Sequence, residues 1–127
     1  MMGSGRAETG RKGEDLALEY LMERGMRLVA RNWRCSHKEL DLVMDDGIFL
    51  RVVEVRSLTF PNLQLPAESV DKQKRMRVLW AARKFAAMNS VKKEIVFDIV
   101  SVVFRIDGQG LEEAEILYFP DAFSPQW

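Results

Sequence analysis

The sequence predicts a single α/β domain, a central mixed sheet with a helix on each side, from three observations. Two stretches carry helical periodicity, five carry the short apolar or alternating pattern of strands, and the second helix falls between strands three and four. The order is α-β-β-β-α-β-β. From about Glu8 to Gly25, Leu16, Ala17, Tyr20 and Leu21 recur at helical spacing with Glu19 and Glu23 opposite, and Gly25 is a natural stop. Met26–Arg34 then reads as a strand, and Glu39–Met44 alternates strictly. Asp46-Gly47 signals a hairpin turn, with Ile48–Arg56 as the returning strand. Pro61 and Pro66 mark residues 58–69 as a loop. Ser69 is placed to cap a long helix over Val70–Met88, whose apolar side is Val78, Leu79, Ala82, Phe85 and Ala86. Glu94–Arg105 is a fourth strand. Asp107-Gly108 and Gly110 turn it into a fifth, Glu112–Phe119. Residues 1–127 are expected to form this one domain, with 1–8 and 120–127 as loose ends.

Composition narrows the function classes. With 47% hydrophobic residues the chain builds a core without a metal or disulfide staple. The lone Cys35 allows no intrachain disulfide, which fits a reducing cytosol and also a cysteine-poor secreted protein. Met1–Lys12 is polar and lacks the apolar segment of a signal peptide, and no apolar run approaches the ~20 residues of a membrane helix. A cytoplasmic protein is expected. Nineteen basic and nineteen acidic residues cancel, which argues against a highly basic nucleic-acid binder. The charge is unevenly spread, however. Residues 106–127 hold five acids and no Lys or Arg, leaving nineteen bases against fourteen acids, or +5, in the first 105. A scattered solvated surface is an equal account of this asymmetry.

The chemistry concentrates in two neighbouring strands. Alternation puts Glu39 and Asp41 on one face, and Glu54 and Arg56 on one face of the next strand. If the hairpin closes at Asp46-Gly47, Asp41 and Glu54 fall at the same end of the ribbon, and a bulge can bring them together. Glu54 sits in the apolar run Val52-Val53-Glu54-Val55, where a lone carboxylate is costly unless paired or bound to a cation. Two adjacent carboxylates attract a hard divalent ion, and such an ion can drive phosphodiester hydrolysis. On spacing alone, ion pairs across the sheet explain Glu54 and Arg56 more simply.

The segments Gly13-Glu14-Asp15-Leu16-Ala17, Arg31-Asn32-Trp33-Arg34, Glu39-Leu40-Asp41-Leu42-Val43 and Val53-Glu54-Val55-Arg56 tip that balance. Together they resemble the YraN family of small bacterial proteins. That pattern is in turn similar to the restriction-endonuclease-like superfamily, which includes the archaeal Holliday-junction resolvases. The resemblance runs from about Gly10 to Val103. In that superfamily an acid and a later Glu-x-Lys bind metal and position water, often joined by an acid from the first helix. It therefore implies Asp41 and Glu54 as metal ligands, Glu14 as an accessory carboxylate, and Mg²⁺ or Mn²⁺ as cofactor. It further implies DNA rather than RNA as partner. A homodimer would suit the two-fold symmetry of a four-way junction, although the sequence has no diagnostic dimer stripe. The catalytic set would be Asp41, Glu54, Arg56 and Glu14, with Lys72, Lys74, Arg75 and Arg77 contacting nucleic acid.

One position departs from the pattern. Arg56 stands where the superfamily has lysine, and arginine stays charged and cannot serve as a base. Lys72 or Lys74 can supply the missing amine, and both also suit a solvated helix face. Two functions follow: a metal-dependent endonuclease on structured DNA, or a catalytically weak or inactive nuclease-fold binding module in a DNA-processing complex. A protein-interaction domain using the acidic C-terminal hairpin is a third. Cys35, His37, Glu39 and Asp41 would align as a zinc set only on an unbroken strand, and a turn is expected at Cys35–Lys38. Trp33 reads as core. Asp98 reads as a buried acid pairing with a basic group such as Arg31. The basic residues of the second helix are expected on the side of the carboxylates, with Glu112–Glu115 away from it.

Overall fold

A computed structural model describes residues 4–60, 72–110 and 112–124, with side chains from Thr9 onward. The elements are α1 (Ser4–Glu23), β1 (Arg27–Cys35), β2 (Lys38–Asp45), β3 (Leu50–Thr59), α2 (Lys72–Met88), β4 (Ile95–Ile106) and β5 (Glu112–Phe123). The five strands form one sheet in chain order. Its neighbours are antiparallel except β3 and β4, which run parallel because α2 carries the chain back between them. The expected α-β-β-β-α-β-β order and mixed sheet are those of the molecule. The proposed Ser69 cap and most of the 58–69 loop lie outside the described residues.

The two helices cover opposite faces. Ala17 and Leu21 of α1 pack with Leu42, Met44, Val53, Val100, Val102 and Phe104. Val78, Ala81, Ala82 and Phe85 of α2 pack with Leu40, Val43, Leu50, Val52, Phe97 and Ile99. Trp33 belongs to this second core, meeting Phe85 edge to face. Gly25 ends α1 at a left-handed φ of 94°, with Gly25 N–H bonding Met22 O and Met26 N–H bonding Leu21 O. No helix among the described residues is long and apolar enough to cross a membrane.

Boundaries move for identifiable reasons. α1 starts at Ser4, before the expected Glu8, and β5 runs to Phe123. β3 starts at Leu50 instead of Ile48, because the Asp46 carboxylate takes the N–H groups of Ile48 and Phe49 and holds them out of the ladder. The turn at Ser36-His37, both with positive φ, joins β1 to β2 as expected and breaks the period-two alignment of Cys35 with Asp41. Asp98 is a buried acid as expected, but its basic partner is Arg51 and not Arg31. Arg51 Nη1 lies 3.1 and 3.2 Å from its two oxygens, and Tyr118 Oη and the Asp121 N–H complete its shell at 2.7 and 2.9 Å. Arg31 is held instead by Glu14 and Asp15 of α1.

Candidate functional site

The carboxylate site forms where β2 and β3 part company. Their pairing ends at Leu42↔Val53, so Asp41 and Glu54 are the next residues on each strand and fall just beyond the last rung. Alternation along β2 also changes phase there: Leu40 packs under α2, while Leu42 and Met44 pack under α1. Across from Asp41, between the pairs Arg31↔Leu42 and Trp33↔Leu40, Asn32 adopts a left-handed φ of 52°. The freed Asp41 carboxylate spans the gap and accepts a hydrogen bond from the Val55 N–H at 2.9 Å.

Glu54 goes under the surface. It is 1% exposed and sits on the α2 side of β3, where Lys74 of α2 brings Nζ to 3.5 Å from Oε1. Its other oxygen, Oε2, has no hydrogen-bond partner among the described residues. Burial, then the neighbouring charge of Asp41, pushes the Glu54 carboxyl up to about 8, against the pull of Lys74. Asp41 is pushed up to about 6, chiefly by burial. The bond from Val55 and the charge of Lys74 pull it back, and Glu14 and Glu39 add repulsion.

Above them opens a cleft of about 540 Å³, lined among others by Glu14, Asp41, Arg56, Ser57 and Lys74. Glu14 reaches its edge because α1 lies hard against β3: a side chain on Gly13 would bring a Cβ within 1.9 Å of Ser57 Oγ. Arg31 Nε, 3.4 Å from Glu14 Oε1, steadies that carboxylate from the outer strand. Of the residues singled out in the sequence, Glu14, Asp41, Arg56 and Lys74 thus line one cleft, with Glu54 buried beside them. Lys72, Arg75 and Arg77 share the first turns of α2 with Lys74 but are not in the cleft lining. The acidic hairpin is not wholly remote. Glu112 pairs with Lys12 of α1 at the same end of the sheet as the cleft, because β5 returns antiparallel beside the C-terminal half of β4. Ser101 was missed by sequence reasoning. Its hydroxyl is buried beside Arg56 with no hydrogen-bond partner among the described residues.

No three Asp, Glu, His or Cys side chains converge as a metal site among the described residues. A Mg²⁺-type ion needs fewer, since one or two carboxylates with water and substrate oxygens complete its shell. The buried Glu54 Oε2, without a hydrogen-bond partner among the described residues and within reach of the Asp41 charge, fits that requirement.

The sequence model of a family described as "Uncharacterised protein family UPF0102" matches residues 13–102. A UPF0102 protein of Anaeromyxobacter dehalogenans is 43% identical over 122 residues, covering 95% of this chain and 87% of that one. One from Porphyromonas gingivalis is 37% identical over 101 residues, covering 80% and 75%. One from Bacteroides fragilis is 31% identical over 114 residues, covering 90% and 94%.

Proposed function

The chain belongs to the UPF0102 (YraN) family, and from that membership and the cleft we propose that it is a Mg²⁺- or Mn²⁺-dependent endonuclease acting on structured DNA. The observation that carries this reading is Glu54: a wholly buried carboxylate whose Oε2 has no hydrogen-bond partner among the described residues, lying behind a cleft that Asp41, Glu14 and Lys74 line. Such a group opposes stability unless it has a task, and holding a divalent cation is the task its chemistry suits. Asp41 and Glu54 would hold the ion, with Glu14 at the rim. When bound, it supplies a Lewis acid and a more acidic water.

The remaining roles fall to side chains. The Val55 N–H fixes the Asp41 carboxylate. Lys74, beside Glu54, supplies from α2 the amine that β3 lacks at Arg56. Its ammonium can orient a water and, when desolvated, exchange a proton. Arg56, fixed in charge, suits bidentate contact with a phosphate at the cleft wall. Lys72, Arg75 and Arg77 extend positive charge along α2 for the DNA backbone.

A screen of duplex, single-stranded, flap and four-way DNA with Mn²⁺ tests this. We expect cleavage that Asp41→Asn abolishes and Lys74→Met lowers by ~10²–10⁴-fold. Arg56 in the lysine position favours a second reading, a binding module without catalysis. DNA binding with no cleavage under any metal, unchanged by Asp41→Asn, would establish that alternative.

A further inference from the structure

Among the described residues, three side-chain atoms are buried without a hydrogen-bond partner: Glu54 Oε2, Arg56 Nε and Ser101 Oγ. They are neighbours by construction. β3 and β4 pair in parallel with Arg56 beside Ser101 and Glu54 beside Ile99. Alternation then sets Glu54, Arg56 and Ser101 on one face, the face that Val52 and Ile99 turn toward α2. With strands ~4.8 Å apart, the three occupy a single small patch.

Ser101 is the least expected of them. It is 0% exposed, inside Ile99-Val100-Ser101-Val102-Val103, where an apolar residue would avoid the cost of an unmet hydroxyl. The three atoms are also chemically complementary. An arginine Nε only donates, an ionised carboxylate only accepts, and a hydroxyl does both. We propose that Ser101 is a positioning residue of the cleft. When the site is loaded, its hydroxyl accepts from Arg56 Nε and donates to Glu54 Oε2, directly or through one water. The assignment rests on the nuclease reading of the cleft. The relay fixes the plane of the guanidinium, directing its outer nitrogens toward a phosphate, and stops the Glu54 carboxylate from rotating.

Hydrogen-bond partners behind a metal ligand typically contribute 10–100-fold to affinity or activity. The test uses the full chain with Ser101→Ala and Ser101→Thr, titrated calorimetrically with Mn²⁺ alone and melted without metal. We expect Ser101→Ala to bind Mn²⁺ about 10–100-fold more weakly, with a metal-free Tm equal to or above that of the unmodified chain. Ser101→Thr, which keeps the hydroxyl, should restore affinity. Unchanged Mn²⁺ affinity in Ser101→Ala overturns the proposal. So does a weakened affinity that comes with a lowered Tm and is not rescued by threonine, since that is a packing effect. If the unmodified chain takes up no Mn²⁺, the metal reading fails separately. The relay is then decided by four-way DNA binding in chelator: Ser101→Ala must weaken it as Arg56→Ala does, and unchanged binding refutes it.

Discussion

Glu54 and Asp41 tie the site to the stability of the chain through protons. Both carboxyls titrate higher in the fold than in the unfolded chain, to about 8 and about 6. Folding therefore takes up protons, and the stability these groups leave intact below their unfolded values is lost as pH rises through the folded ones. The metal-free Tm should fall between pH 5 and pH 8, and Glu54→Gln should flatten that slope and raise the Tm at pH 8. Mg²⁺ should recover part of the loss. Identical melting slopes for both proteins would show that Lys74 already compensates the charge. Arg56→Lys should keep the fold and raise Mn²⁺-dependent cleavage, by as much as ~10²-fold where a second amine assists proton transfer. The acids were legible because alternation and the Glu-x-Arg spacing expose them. Ser101 was not, since a serine in an apolar strand belongs to no motif. Nor was the Arg51 partner of Asp98, which depends on a register forty-seven positions apart.

At the scale of elements, the decisive contact is α1 against β3. Gly13→Ala gains about 1 kcal/mol of helix propensity, yet its methyl group meets Ser57 Oγ and Cβ at 1.9 and 3.1 Å. Overpacking costs roughly 1–3 kcal/mol, so a net loss is expected in urea unfolding, with Glu14 displaced from the cleft. Ser57→Ala in the same chain should recover most of it. Independent, additive losses would mean that the helix does not depend on this approach. The helix itself was visible from its apolar repeat, and its stop from Gly25. Its start was obscured by Gly5 and Gly10, which depress local helix propensity. The parting of β2 from β3 at Asp41 was only foreshadowed. Alternation assumes an unbroken pleat, and the phase change between Leu40 and Leu42 is set by packing on both faces.

For the molecule as a whole, the formal charge is zero, so the proposed DNA binding would have to draw on local fields. Lys72, Arg75 and Arg77 should make binding fall steeply between low and moderate salt. Replacing all three with glutamine should flatten that dependence, and an affinity indifferent to salt would remove DNA as the partner. The element order was readable because each stretch carries its own period. What the order could not convey is how near Glu112 comes to the cleft end, which follows only from the pairing of β5 with β4.

The strand order also has a kinetic consequence. β1, β2 and β3 are joined by tight hairpins, whereas every rung between β3 and β4 links residues forty-five positions apart. Chain closure across that distance is slow compared with hairpin formation, so the β3–β4 seam is the contact expected to form late. Glu54 and Ser101 lie on the two sides of that seam. If Glu54 loses its water only after the transition state, ionising it should hardly slow refolding and should mainly hasten unfolding. In stopped-flow chevrons from pH 5 to pH 8, the unfolding limb should move and the refolding limb should stay. The nascent chain then carries a hydrated, ordinary carboxylate through most of its folding, and the unusual one exists only once the last seam has closed.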